Sequence, residues 1–235
     1  MRLIKHYLFI LVIGASWIGQ AQELEAVTEI LSKVEARYFS SETYNLEVLY
    51  EYFEPSKGDL SIETMTGQII KDGSNYYSRI QNTESLFIDS DYLKISHDEK
   101  AVLYGSIGQG ERPSPVELSK LAEYFSSAQV FQDGDIASFE LMFKESQMIP
   151  YSKMVLKVNL KTFAILKQEL YLIAGQHMPG GQNPLAKTEE GIVSVTFKER
   201  PYSKELSKRF LISDYIKKGP QISLSKKLAT YQLYQ

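Results

Sequence analysis

Short segments between Tyr44 and Tyr104 alternate apolar and polar residues, and this alternation constrains the fold more than any other part of the sequence. A period of two is typical of β-strands that bury one face. Polar turns separate the segments, and Asp72-Gly73 is a hairpin signal. The pattern predicts an antiparallel meander with strands at 44–53, 60–71, 75–81, 85–88, 92–96 and 100–104.

Two helices and a second group of strands are predicted around this meander. Residues Glu23 to Phe39 place apolar side chains at three- and four-residue steps, which predicts an amphipathic helix. A second helix is predicted from Ser114 to Ser127, because a capping box marks its start. Further strands are predicted at 137–143, 152–159, 165–173, 192–198 and 209–213. The sequence therefore predicts an α+β fold of mostly antiparallel strands.

Residues Met1 to Ala21 have the features of a cleaved secretory signal. Arg2 and Lys5 precede an apolar run, and small residues offer a cleavage site near Ala21. A membrane anchor is the alternative, but the apolar run is short for a span of roughly 20 residues. Cleavage would leave residues 22–235, a length that suits a single domain. We expect this domain in the bacterial periplasm.

Composition limits the partners that the chain can have. It contains no Cys, so neither disulfides nor lipidation at a cysteine is available. The net charge is −3, which argues against nucleic acid as a partner. From Lys204 to the end, seven Lys and Arg stand against Glu205 and Asp214. This uneven charge fits either a solvated surface with a loose tail, or a patch for phospholipid headgroups or an acidic partner.

No residue pattern predicts catalysis or metal binding. His97 and His177 are each expected alone on a surface loop, whereas zinc sites and catalytic triads need clusters. The glycines of Gly105 to Gly110 lack the Lys-Ser/Thr of a phosphate-binding loop. Glu47 and Glu51 share one strand face, which we interpret as the solvent side rather than an acid pair. We predict that the protein is not an enzyme and has no metal and no cofactor.

The apolar face of the predicted sheet is the remaining candidate site. Twelve side chains are predicted to lie on or beside it: Tyr44, Leu46, Val48, Tyr50, Tyr52, Ile62, Ile70, Tyr76, Ile80, Leu86, Ile88 and Leu93. They could form an ordinary core that the two helices close. They could also line an apolar pocket in which tyrosine hydroxyls are the polar groups. The alternation alone does not distinguish the two.

With its elements in this order, the chain resembles the LolA/LolB superfamily of periplasmic lipoprotein carriers. The resemblance covers nearly all of residues 22–235 and rests on loose hydrophobic patterns at 66–73, 85–104, 154–159, 165–171 and 192–197. It implies an unclosed half-barrel whose concave face is covered by helices and shields acyl chains. The lipoprotein carrier has an Arg on an early strand, whereas Tyr44 to Phe53 contains none. The Gly-Gln-Ala-Gln of residues 19–22 resembles signals of the Bacteroidetes.

Two functional hypotheses follow. The first is a periplasmic protein that binds a lipid, a lipoprotein acyl chain or another hydrophobic ligand in the cavity of a half-barrel. The second is a non-catalytic interaction or scaffold protein of the cell envelope, for which the uneven charge and the long loop from Gly175 to Gly191 are the motivation. Neither predicts nucleic acid as a partner, and neither predicts a transmembrane span after residue 21.

Overall fold

The computed structural model describes residues 24–54, 57–58, 60–106, 118–144, 149–173 and 191–235. The chain divides into two compact units. The described residues of unit 1 lie within 1–37, 52–62 and 116–195, and those of unit 2 lie within 38–51, 63–115 and 196–235. The single domain predicted for residues 22–235 stays a prediction, because compact units can belong to one folding domain or to two.

Several predictions concern residues outside the described ranges. The signal at residues 1–21 is one, and the start of the second predicted helix at residues 114–117 is another. His177 and all but the last residue of the loop from Gly175 to Gly191 are also outside.

Antiparallel pairing of neighbouring strands builds both units. In chain order the described strands are β1 (Thr43–Phe53), β2 (Ser61–Asp72), β3 (Asn75–Ile80), β4 (Thr83–Ile88), β5 (Asp91–Ser96), β6 (Ala101–Ser106), β7 (Phe125–Asp133), β8 (Ile136–Phe143), β9 (Tyr151–Asn159), β10 (Ala164–Leu172), β11 (Ile192–Glu199), β12 (Ile216–Lys217), β13 (Ser223–Leu224) and β14 (Gln232–Tyr234). The described helices are α1 at residues 24–40 and α2 at Leu118–Ala122.

Unit 2 contains the meander that the alternation predicts. Its strands are hydrogen-bonded in the order β14-β6-β5-β4-β3-β2-β1, and β14 is parallel to β6. The turn after Asp72 confirms the hairpin signal, because Asp72 pairs with Asn75 and Gly73 has a φ of 57°. Most of β1 and β2 belongs to this unit, while their ends at residues 52–53 and 61–62 belong to unit 1.

The C-terminal segment of unit 2 corrects the strand predicted at 209–213. Short 3-10 helices occupy Lys204–Phe210 and Ile212–Asp214, and a third follows at Lys226–Leu228. The prediction relied on three consecutive apolar residues that begin at Phe210. The backbone here forms hydrogen bonds over three residues, from the Leu211 amide to Lys208 O and from the Asp214 amide to Leu211 O, so it is not extended as a strand would be.

Unit 1 contains antiparallel strands that are hydrogen-bonded in the order β11-β10-β9-β8-β7, and residues 196–199 at the end of β11 belong to unit 2. One face is apolar, and its side chains are at most 1% exposed: Ala137, Phe139, Leu141, Met154, Leu156 and Val158. Helix α1 belongs to this unit up to residue 37 and buries one stripe that includes Leu31 and Val34. Arg37 Nη1 of α1 donates to the main-chain oxygen of Thr162 at 2.6 Å.

The second predicted helix ends earlier than expected. Helix α2 ends at Ala122, and strand β7 begins at Phe125, inside the range predicted as helix. Phe125 pairs with Phe143 of β8 and is 1% exposed. Ser126 and Ser127 are weak helix formers, so tertiary pairing with β8 outweighs the helical spacing of the preceding apolar residues.

The fold class is thus confirmed at the level of mostly antiparallel strands in a large open sheet with few helices. The finer prediction of a half-barrel with helices over its concave face stays a prediction. None of the helices in the described ranges is long and apolar enough to cross a membrane.

Candidate functional site

The pairing register of unit 2 separates its side chains onto two faces. Tyr76 pairs with Phe87, which pairs with Tyr92, so these three side chains share one face. Their sequence neighbours Tyr77, Leu86 and Leu93 pair with one another and lie on the opposite face. We call the first the tyrosine face and the second the core face.

The C-terminal segment covers the core face. Its side chains Phe210, Tyr215, Ile216 and Leu228 are all at most 8% exposed and pack in one hydrophobic cluster with β2 to β6. Four of the predicted pocket residues belong to this cluster: Ile70, Leu86, Ile88 and Leu93. We expected all twelve predicted residues to lie on or beside one face of the sheet. The pairing register corrects this for these four residues, because it places them on the face opposite Tyr76.

Six of the predicted residues share the tyrosine face: Tyr44, Leu46, Val48, Tyr50, Tyr76 and Ile80. Gly67 shows that the β1 residues and the β3 residues lie on the same side of the sheet. A Cβ built on it would lie 3.0 Å from Val48 Cγ2 of β1 and 3.1 Å from Ile80 Cγ1 of β3. Because side chains alternate along β1, the other three β1 residues lie on the same side as Val48. Leu46 and Val48 are 1% exposed, so this part of the face is fully covered.

The remaining two predicted residues lie in unit 1. The ring of Tyr52 packs against Gly191, where an added Cβ would lie 2.5 Å from its Cε2 atom. Ile62 is 42% exposed. The register therefore brings six of the twelve predicted residues together and places four behind the sheet and two in the other unit. Whether any of them binds a ligand stays a prediction.

Burial dominates the chemistry of the tyrosine face. It raises the pKa of Tyr44, Tyr50 and Tyr76 above the usual value, and the nearness of Tyr50 adds to the shift at Tyr76. Tyr44 Oη is buried and has no hydrogen-bond partner among the described residues. The Tyr44 ring meets the ring of Tyr38 edge-on at a centroid distance of 5.7 Å. Tyr44 is thus a buried donor in an apolar setting.

The tyrosine face continues as a row of half-buried aromatic side chains. The sequence-based prediction of the site did not include Phe87 and Tyr92 of this row. Phe87 lies 6.1 Å from Tyr76 and 4.6 Å from Tyr92, measured between ring centroids. Farther along, Leu103 and Tyr234 pair across β6 and β14 and are 45% and 48% exposed. The alternation did contain this row, but it also contained the competing row of Leu86 and Leu93. Only the register shows which row continues from β1.

One cation on the tyrosine face is already bound by the backbone. Lys71 pairs across the strands with Tyr76. Its Nζ donates to the main-chain oxygen of Phe39 at 2.8 Å and also to that of Ser41. These carbonyls lie at the end of α1, where a cation is favourable. Burial lowers the pKa of Lys71.

A polar cluster lies within the core face and corrects the expectation of a lone surface histidine at position 97. His97 Nε2 lies 2.7 Å from Glu84 Oε1, and His97 Nδ1 lies 2.8 Å from Tyr231 Oη. The Glu84 side chain is 6% exposed, and its Oε2 is buried without a hydrogen-bond partner among the described residues. Through these contacts, His97 links Glu84 of β4 to Tyr231 of the C-terminal segment.

Neither this cluster nor the tyrosine face provides a metal site or an acid pair. No group of three or more metal-ligating side chains occurs in the part of the chain that the structure describes. Glu47 is 52% exposed at its side chain and forms an ion pair with Arg200 at 2.5 Å. This pairing agrees with the interpretation of Glu47 as a solvent-side residue.

Comparison with solved structures finds several matches at low sequence identity. A LolA superfamily protein from Nitrosomonas europaea is 15% identical, with 76% of this chain and 95% of that chain covered and a TM-score of 0.29. A DUF1329 family protein from Desulfovibrio piger is 13% identical, with coverages of 80% and 97% and a TM-score of 0.38. An uncharacterized conserved protein from Thermus thermophilus is 9% identical, with coverages of 78% and 93% and a TM-score of 0.43.

No protein-family model matches the sequence, and no curated protein matches it significantly. The structural neighbours thus include LolA superfamily and DUF1329 family proteins. Because these TM-scores are below 0.5, the functional reasoning that follows rests on the residues of this chain.

Proposed function

We propose that this protein is a non-enzymatic binding protein of the periplasm whose tyrosine face holds a hydrophobic ligand. The ligand class is a lipid, a lipoprotein acyl chain or another molecule with a long apolar part and a hydrogen-bond acceptor. The observation that carries the proposal is the hydroxyl of Tyr44, which is buried without a hydrogen-bond partner among the described residues.

An unpaired buried hydroxyl costs about 1–3 kcal/mol, so native proteins rarely keep one without a reason. A ligand oxygen that accepts a hydrogen bond from Tyr44 Oη would remove this cost. Beyond the covered part of the same face, the half-buried rings of Tyr76, Phe87 and Tyr92 form an aromatic row that suits an apolar chain. The resemblance of the sequence to lipoprotein carriers agrees with such a ligand.

Lipid extraction tests the proposal directly. The purified protein is extracted with organic solvent and the extract is analysed by mass spectrometry, and displacement of a fluorescent fatty acid is measured in parallel. We expect a bound apolar molecule in the extract and saturable binding of the probe. An empty protein that also binds no probe would overturn the proposal.

Two substitutions locate the binding surface. Tyr44→Phe removes only the hydroxyl, and we expect about tenfold weaker probe binding, as for the loss of one hydrogen bond. Tyr151→Phe in unit 1 is the matched control and should bind like the parent protein. Leu46→Glu puts a charge on the same face and should abolish binding. A folded Leu46→Glu variant with unchanged affinity would place the ligand elsewhere.

A non-catalytic envelope interaction protein is the second candidate. Strand β7 is the last strand in the sheet of unit 1 and exposes Val130 by 37% and Phe131 by 57%. Edge strands with exposed apolar residues can pair with a partner chain. A pull-down from the native cell envelope separates the two candidates, because a stoichiometric protein partner without bound lipid would favour this one.

A further inference from the structure

Positive charge is concentrated in the last part of unit 2. Between Arg200 and Gln235 there are eight Lys and Arg against two acidic residues, whereas in residues 1–199 acidic residues exceed basic ones by nine. Such a contrast between segments of one chain creates a local positive potential on an acidic protein. The basic residues lie in the segment that covers the core face, so folding fixes their positions.

Some of these basic side chains contact acidic or aromatic residues within unit 2. Lys208 forms an ion pair with Glu205, and Lys218 forms one with Asp91 at 2.6 Å. Arg209 lies over the ring of Tyr77 with 5.3 Å between its Cζ and the ring centroid.

Four further lysines are exposed and have no acidic partner in an ion pair among the described residues. Lys204 begins the 3-10 helix Lys204–Phe210, whereas Lys217, Lys226 and Lys227 lie farther along the chain. The last three are held on one small structural element, which we call the lysine hairpin and define as residues 214–228. Ile216 pairs with Leu224, and Lys217 pairs with Ser223. The Ser225 amide donates to Tyr215 O at 2.9 Å.

The buried residue Tyr215 anchors the hairpin. Its side chain is 3% exposed, and its Oη donates to the main-chain oxygen of Arg209 at 3.1 Å. Lys227 Nζ lies 5.2 Å from the centroid of its ring. The lysines are therefore attached to a fixed backbone, while their long side chains stay in solvent.

An exposed apolar side chain lies next to the hairpin. Leu211 is 51% exposed, and its main-chain oxygen accepts a hydrogen bond from the amide of Asp214 at 2.9 Å. Exposed lysines beside a protruding leucine suit a bilayer surface, where lysines meet anionic headgroups and an apolar side chain enters the interface.

We propose that the lysine hairpin, together with Leu211, binds the surface of a membrane that contains anionic phospholipid. This inference concerns a different surface from the tyrosine face and does not depend on the proposed ligand. A membrane is favoured over an acidic protein partner because the exposed cations of this segment that lack an acidic partner are all lysines, which act as point charges on flexible side chains. The protein would then meet lipid at the surface where a carrier collects or releases it.

Vesicle cosedimentation tests this inference. The purified protein is mixed with vesicles of phosphatidylcholine alone, or with vesicles that also contain phosphatidylglycerol, at low salt and at about 0.5 M NaCl. We expect binding to the anionic vesicles at low salt and its loss at high salt. A lysine near an anionic surface contributes about a fivefold gain in affinity, so the triple variant K217Q/K226Q/K227Q should bind about 100-fold more weakly.

The triple variant K100Q/K157Q/K198Q is the matched control, because it removes the same charge from exposed lysines elsewhere in the chain. It should bind like the parent protein, whereas Leu211→Ser should weaken binding to the anionic vesicles at low salt. Equal loss in both triple variants would mean that net charge alone is sensed and would overturn the proposal. Absence of binding to anionic vesicles, or binding to polyglutamate beads only, would overturn it too. All variants are checked by thermal melts, so that misfolding is not mistaken for lost binding.

Discussion

At the scale of single residues, the most informative atoms are buried polar atoms without a partner. Tyr44 Oη and Glu84 Oε2 are both in this state among the described residues, on opposite faces of the same sheet. Tyr44 lies in an apolar setting, whereas Glu84 lies in a polar cluster with His97. The two therefore differ in what a substitution should reveal.

Tyr44→Phe should stabilise the protein in the absence of ligand. The substitution keeps the ring contact with Tyr38 and removes a donor that is buried without a partner, so the free energy of unfolding should rise by about 1 kcal/mol. Urea denaturation of the delipidated protein measures the change. A loss of stability would mean that the hydroxyl already has a favourable interaction, and the reasoning for the ligand would lose its basis.

His97→Ala should destabilise the protein strongly. His97 Nε2 lies 2.7 Å from Oε1 of the buried Glu84 carboxyl group, and Arg79 Nη1 lies 3.9 Å from the same oxygen. Removal of the imidazole leaves this buried oxygen without its short hydrogen bond, so we expect a loss of about 3 kcal/mol in urea denaturation. Asn82→Ala is the control, because it removes an exposed hydrogen bond in the same region and should cost at most about 0.5 kcal/mol. Similar losses for both would refute the role of Glu84.

At the scale of elements, local sequence signals determined most strands and hairpins. The strands from β1 to β6 and from β8 to β11 occur close to where the alternation predicts them. Errors occurred where local signals were ambiguous. Helical spacing before Phe125 competed with the pairing of β7 and β8, and Phe210 to Ile212 had no alternation.

Gly67 illustrates a residue whose role is clear only from the packing. A glycine inside a strand can mark a bulge, a bend or a close approach of another backbone, and the pairing of β2 with β3 begins at Gly67. A Cβ at this position would lie 2.6 Å from the main-chain oxygen of Arg79 and 3.0 Å from Val48 Cγ2. The glycine therefore permits a close approach of β1, β2 and β3.

Gly67→Ala should destabilise the protein by about 1–3 kcal/mol, because the added methyl group meets main-chain atoms that cannot move easily. Gly105→Ala is the matched control in the same sheet, since a Cβ there has no atom within 4 Å. Chemical denaturation of both variants gives the comparison. Equal stability of the two variants would show that β1 can move away from β2 at little cost.

At the scale of the whole molecule, the buried tyrosines set the response to alkaline pH. Burial raises the pKa of Tyr77 to about 12, helped by the charge of Glu84, and also raises that of Tyr202 to about 12. In the unfolded chain these groups ionise near 10. The folded state therefore keeps its protons longer, and the stability that these groups provide is complete below pH 10 and is lost as the pH rises through 12.

We accordingly expect a cooperative alkaline unfolding transition above pH 10. Tyrosinate absorbance and far-ultraviolet circular dichroism are recorded across a pH titration. The absorbance change of the buried tyrosines should coincide with the loss of dichroism. Ionisation of all tyrosines near pH 10 with the fold intact would contradict the burial of these side chains.

The sequence by itself determined the alternation of the strands, the positions of most turns and the amphipathic character of α1. These features depend on residues that are close together along the chain, so a local pattern is enough to identify them. The prediction of Tyr44, Leu46, Val48 and Tyr50 on one face was of this kind, since all four lie on one strand.

Only the tertiary structure decided which side of the other strands continues that face. Strands β3 to β5 carry an apolar row on each side, one with Tyr76 and Phe87 and the other with Tyr77 and Leu86. The choice depends on the pairing register and on the C-terminal segment, which lies more than 100 residues away in the chain and covers the row with Tyr77. A pattern with a period of two is symmetric between the two faces of a sheet, and only long-range packing removes that symmetry.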